Sequence, residues 1–369
     1  MKGNLSRQFR QLRRVVLVGL VGAGSLYAKC PISDGATLIV TAPVGDLQVD
    51  TSGRDSVDVQ VDSNLIQVVE KCGPNMVEYS SNTPDVTQLR GTITWKIVTP
   101  RGVHLDLTAF GGGINVGDVD ADVILRTTGG SVTAGQIKGK AAIITQGGSI
   151  KTIRIGGNAE LRSTGGTLEV GDVGGNAEFQ TNAGPIRAGK VTGNVVANGG
   201  RTIAILGAGD VKATTNAGDI QIGEATRINA KTGGGNITNR RVSGPFQGHT
   251  ESGDIRLDSA GAWVEASTGF GDIEVRLAPG NIDGDLHMDL NAGVGNVTIH
   301  VPQRMKATIN ATVQRPTFRD QQIISDFPMN GLAPANRFYS AAQQQTILNG
   351  GGNKISLHTS LGKIQIKKN

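Results

Sequence analysis

The sequence predicts an all-β fold, a single-stranded parallel β-helix (β-solenoid) with about 18 residues per coil. Three observations carry that expectation. A short phrase recurs at fixed spacing, the apolar positions inside each copy alternate with period two, and glycine is abundant while aromatics are few. There are 54 glycines in 369 residues, against 8 Phe, 3 Tyr and 2 Trp. Glycine shows no three-residue period, which excludes collagen. Hydrophobic residues at 37% argue against wholesale disorder.

Met1–Ala28 reads as a secretory signal. Lys2, Arg7, Arg10, Arg13 and Arg14 precede an apolar stretch from Val15 to Tyr27, and Ala28 offers a small residue for cleavage. The stretch is too short to span a bilayer, so no transmembrane span is expected in the mature chain. The five basic residues account for the whole formal charge of +5. A neutral mature chain has no basic excess for nucleic acid, so no nucleic-acid partner is expected. Export to the periplasm, the outer surface or the medium follows. In such an oxidising compartment Cys30 and Cys72, the only cysteines, are expected to pair.

Residues 29–104 carry the repeat in weakened form, at Leu38 and Val40 and again at Leu47 and Val49. The irregular part between Asp62 and Gly91 is expected to cap an open end, where strand edges would otherwise stay unpaired.

Residues 105–301 hold the regular coils. The phrase Thr127-Thr128-Gly129-Gly130-Ser131-Val132 returns as Thr145 to Ile150, Ser163 to Leu168, Thr181 to Ile186 and Thr215 to Ile220, and three times more by Ile273. Its closing aliphatics are Ile114, Val132, Ile150, Leu168, Ile186, Ile203, Ile220, Ile237, Ile255 and Ile273, every one 17 or 18 residues after the last. Further apolar residues follow two, five, nine and eleven positions later, which are strand spacings. One coil cannot bury its own inward face, so stability must come from stacked neighbours about 4.8 Å apart. Right-handed coiling is the default for parallel crossovers. Glycine two residues before most marks suggests a positive-φ turn. The hydroxyl column five residues before them, from Thr127 through Asn198 to Thr268, suggests hydrogen bonds between coils.

After Ile273 the next mark is Val297, so this coil carries an insertion near Ala278–Asp285. Residues 302–353 break the pattern and read as an irregular loop or cap. Residues 354–369 restore it as a terminal coil, at Ile355, Leu357, Thr359, Gly362, Ile364 and Ile366.

The Thr-x-x-Gly-(Asp/Asn/Ser)-(Ile/Val) phrase, closing with Asn349-Gly350-Gly351-Gly352 and the Ile355–Ile366 pattern, resembles a bacterial family of candidate-adhesin domains of unknown function, built of β-strand repeats. The resemblance covers residues from about 36 to 366. It implies a parallel β-helix and a role in adhesion. No catalytic residues are defined for the family, so none carry over to this chain.

Chemistry is sparse. Two cysteines cannot make a metal site alone, and the five histidines are too scattered for ligand spacing. An acid and amide column (Asp219, Asn236, Asp254, Asp272, Asn296) invites comparison with calcium ligands, but these residues also simply suit turns. Glycoside hydrolysis needs two carboxylates facing one cleft, and the regular coils have no insertions to build cleft walls. No cofactor, catalytic constellation or phosphate loop is expected. The leading expectation is a non-enzymatic, exported protein presenting an extended surface to an envelope, matrix or glycan partner. A carbohydrate-active enzyme and an envelope scaffold or stress-sensing domain are the alternatives. Aromatics that the coils otherwise lack mark candidate contact points: Trp263, which with Phe270 offers sugar stacking, and Phe318, Phe327, Phe338 and Tyr339 in the irregular loop. Those rings also suit a hydrophobic cap on the last coil.

Overall fold

Each strand of the repeat pairs in parallel with its counterpart one repeat further along the chain. A computed structural model describes residues 26–63, 65–81, 92–315, 322–331 and 341–369. The described residues form 33 strands and no helix, in two compact units, Met1–Asp172 and Val173–Asn369. No helix among them is long and apolar enough to cross a membrane. Most of the expected signal segment lies outside the described residues.

In the first unit the strands His104–Ala109, Val123–Thr127, Ala141–Thr145 and Ala159–Ser163 form one parallel ladder. Ile114–Val116, Val132–Ile137 and Ile150–Ile155 form a second. In the second unit Val195–Gly199, Ile203–Thr215, Ile220–Thr232, Phe246–Ser252, Val264–Phe270 and Met288–Val294 follow one another in register. The closing aliphatics from Ile114 to Ile273 are all buried, as are the apolar residues two positions later and most of those five positions later, Ala208 and Ala278 excepted.

Three kinds of bond hold the turns, two of them between repeats. Thr127, Thr145, Ser163, Thr232, Thr250 and Thr268 each donate their hydroxyl to a glycine carbonyl of the preceding repeat, at 2.6–2.9 Å. Several of the same hydroxyls also accept from a glycine N–H of their own turn, as Gly166 N does to Ser163 Oγ at 2.9 Å. The hydroxyl column is therefore bonded to backbone and not to itself. In this column Thr215 pairs with Gly199, while Asn198 faces outward. The 17-residue step from Ile186 is shortened in the turn after Gly199, which displaces a count made back from Ile203 by one position. The third bond is a chain of side-chain acceptors. Asp219 Oδ1 takes the N–H of Asn236, Asn236 that of Asp254, Asp254 that of Asp272, and Asp272 that of Asn296, at 2.7–2.9 Å.

The glycine column has two causes. Gly253, Gly271 and Gly295 do take positive φ, near 148°. Gly130, Gly148 and Gly166 do not, and owe their identity to close stacking: a Cβ on Gly166 would lie 2.0 Å from the Gly148 carbonyl oxygen.

At both ends chain order and spatial order part. In the first unit Thr37–Ala42 lies between Met76–Ser81 and His104–Ala109. In the second, Asn353–Leu361 lies between Met288–Val294 and Ala307–Val313, and Ile364–Lys368 lies between Val297–Val301 and Ile323–Ser325. The excursion after Pro302 thus supplies strands of the ladder as well as loops. Antiparallel partners then cover the end strands: Val68–Cys72 on Met76–Ser81, Ser56–Val61 on Thr94–Pro100, and Ala342–Leu348 on Ala307–Val313. A shift to antiparallel pairing stops the parallel template from recruiting another chain. Cys30 is bonded to Cys72 with Cα atoms 5.7 Å apart, tying Leu26–Pro31 to Val68–Cys72. The Glu70 carboxylate lies against both sulfurs, and burial pushes its carboxyl above the ordinary value.

Candidate functional site

The outward face of the second unit's ladder gathers chemistry that period-two alternation sorts into columns. Because Val264, Ala266 and Thr268 point inward, Glu265 and Ser267 point outward, and the parallel register stacks their counterparts. One column runs Asn229, Gln247, Glu265, Asp289; beside it run Lys231, His249, Ser267, Asn291. Together they line a shallow open groove whose floor is Ala230, Gly248 and Ala266. Asn229 donates to Gln247 at 3.1 Å, and Gln247 donates to Glu265 at 2.9 Å. His249 and Ser267 share a hydrogen bond of 2.7 Å. Glu265 and Asp289 are cross-strand partners, both exposed, so two carboxylates stand side by side.

Apolar rings border this polar centre. Trp263, just before Val264, is half-buried and stacks on His287 with ring centroids 5.2 Å apart and planes 14° from parallel. His287 is held in turn by Asp285, Nδ1 to Oδ1 at 2.7 Å, and that bond keeps the Asp285 carboxyl below its ordinary value. Asp285 belongs to the insertion after Ile273, and Asn353 anchors the same insertion through Gly284 O and Leu286 N. At the far border Phe270 is 65% exposed and shares a register row with the exposed Val294 and Leu361. Trp263 and Phe270 are seven positions apart, at most about 23 Å of extended chain.

The other sequence candidates fall elsewhere. Phe327 is 8% exposed with the Lys368 ammonium 5.1 Å from its ring centre, so it packs instead of offering a free ring. Phe318, Phe338 and Tyr339 lie outside the described residues. Each of Asp219, Asn236, Asp254 and Asp272 gives its Oδ1 as acceptor to a backbone N–H of the next repeat, which is a folding role. Cys30 and Cys72 are joined to each other, and Glu70 is their nearest carboxylate. Sequence reasoning singled out Trp263 and the insertion separately. The stack that joins them was hidden because the 24-residue step to Val297 obscures that Trp263 and His287 are register partners.

No protein-family model matches the chain, and no curated protein matches it. Among solved structures it is similar to a candidate cell adhesion protein from Clostridium sporogenes ATCC 15579, at 8% identity over 94% of this chain and 100% of that one, with a TM-score of 0.19. A candidate adhesin from Bacteroides fragilis NCTC 9343 matches at 14% identity over 75% of this chain and 98% of that one, with a TM-score of 0.20. Likenesses at these scores carry no argument about function.

Proposed function

We propose that the chain is an exported, right-handed parallel β-helix that presents the Trp263–Phe270 face as a non-enzymatic surface for adhesion or cell-envelope interaction. The observation that carries the reading is an open polar face on a strand ladder, bordered by the half-buried Trp263 ring and the exposed Phe270 ring. Strand pairing one repeat apart supports the β-helix, and the leader pattern with the Cys30–Cys72 bond supports export. A non-enzymatic role is supported by the position of Glu265 and Asp289. Both carboxylates sit in the open, whereas acid catalysis of glycoside cleavage uses a group sheltered from water.

Co-sedimentation with envelope fragments tests this. Purified protein should pellet with them, and Trp263→Ala combined with Phe270→Ser should abolish pelleting while circular dichroism stays unchanged. Leu206→Ser, at a 65% exposed position away from this face, serves as control and should pellet normally. Equal pelleting of all three proteins would sink the assignment of the face.

A further inference from the structure

The face has its polarity arranged in an unusual order, and that order selects a class of ligand. Protein–protein interfaces place an apolar core inside a polar rim. Here the centre is polar, with Glu265, Asp289 and Asn291 in two adjacent columns, and the apolar rings stand at the borders. Small-molecule sites are concave and mostly apolar, whereas this groove is shallow, open and extended over several strands. A nucleic acid or another acidic polymer would meet the paired carboxylates of Glu265 and Asp289 at the centre of the face.

We infer that the ligand is a neutral glycan strand, its hydroxyls on Glu265, Asp289 and Asn291 and its apolar ring surface against Trp263. The inference rests on the reading of this face as the interaction surface and names what binds there. Carboxylates and primary amides accept and donate in the geometry that hydroxyl groups need. Cross-strand spacing of about 4.8 Å repeats those groups at regular intervals. Glu265 keeps unused acceptor capacity after its single bond from Gln247. Asp285 fixes His287, and His287 fixes one side of Trp263, so the ring is held before the ligand arrives. The border at Phe270, seven positions on and at most about 23 Å away, gives an oligosaccharide a second apolar contact beyond the reach of one sugar ring on Trp263.

Calorimetric titration of the full chain tests the assignment, with cellohexaose, chitohexaose and maltohexaose as neutral probes and polygalacturonate as the acidic one. Saturable binding of at least one neutral hexasaccharide is expected, with its monosaccharide much weaker. Glu265→Ala with Asp289→Ala should weaken that binding about tenfold or more, the loss expected when two hydrogen bonds to charged acceptors go. Glu265→Gln with Asp289→Asn should lose less, because amides still bond hydroxyls, and should admit polygalacturonate. Tryptophan fluorescence gives a second readout, since Trp95 is fully buried in the other unit and Trp263 is the ring a ligand can reach. Absence of binding by every neutral probe, or preference of the unmodified chain for polygalacturonate, overturns the inference. If envelope pelleting still depends on Trp263 while no neutral hexasaccharide binds or competes, the glycan assignment fails and the surface reading stands. If pelleting is indifferent to Trp263, the surface reading itself fails.

Discussion

Gly129 and Gly130 are adjacent, chemically identical and under opposite constraints. A Cβ on Gly129 would sit 3.4 Å from the Gly111 carbonyl oxygen, an ordinary contact, whereas one on Gly130 would sit 2.3 Å from Gly112 backbone atoms. Neither residue has a positive φ, so stacking distance alone separates them. Gly130→Ala should force two repeats apart and lower stability by about 2–4 kcal/mol, while Gly129→Ala should be neutral within about 0.5 kcal/mol. Paired denaturant titrations check this, and equal midpoints would mean that the repeats do not approach so closely. A second residue titrates. His300 is register-paired with Arg276 on one side and Lys367 on the other, with Glu274 3.6 Å away. Burial, then the two cations, lowers its pKa from the ordinary 6.5. The folded state therefore binds fewer protons than the unfolded one below that value, so stability is full above pH 6.5 and falls as pH drops towards the folded pKa. Melting temperatures measured between pH 8 and 5 should decline through this window, and His300→Gln should flatten the decline. An unchanged slope in that variant would assign the acid sensitivity to other groups.

Among the elements, Asn353–Leu361 is the joint and not the end of its ladder. It is paired on one side with Met288–Val294 and on the other with Ala307–Val313. A chain ending at Asn349 should therefore lose more than its last strands. Ala307–Val313 and Ala342–Leu348 should become protease-sensitive, while Ile220–Leu277 keeps slow amide exchange because its neighbours remain. Continued protection of Ala307–Val313 in that chain would contradict the interleaving. This element also marks where sequence reasoning reaches and where it stops. The marks from Ile114 to Ile273 were legible because each pairs with its like 17 or 18 residues on, and burial follows the same count. Ile355 carries the same grammar, but repetition says which strands are alike and not which are neighbours. Both Met288 and Ile309 are apolar register partners for it, and it has both. Asn198 was misplaced for a related reason, since a shortened turn shifts the count without changing the residue types. At the candidate site Trp263 was legible as an anomalous aromatic, but His287, Asp285 and the Glu265–Asp289 pair needed the register across the insertion.

For the whole molecule the shortest and longest parallel pairings differ severalfold in sequence distance. Regular neighbours lie 17 or 18 residues apart, as Ile220 and Ile237 or Ile237 and Ile255 do. The interleaved ends are far longer: Leu38 pairs with Leu105 and Met288 with Ile355, each 67 residues on. Closing the longer loop costs about 1 kcal/mol more in chain entropy, so the regular ladders are the cheaper contacts to form first. The consequence concerns manufacture. Any delivery of the chain that starts from its amino end lets the regular repeats pair first. The place between Met288–Val294 and Ala307–Val313 stays open until Asn353–Leu361 arrives. Asn353–Leu361 therefore enters a gap already framed by earlier strands. A chain broken off near its carboxyl end leaves two unpaired strand edges facing each other, a defect that proteases and chaperones can read at once.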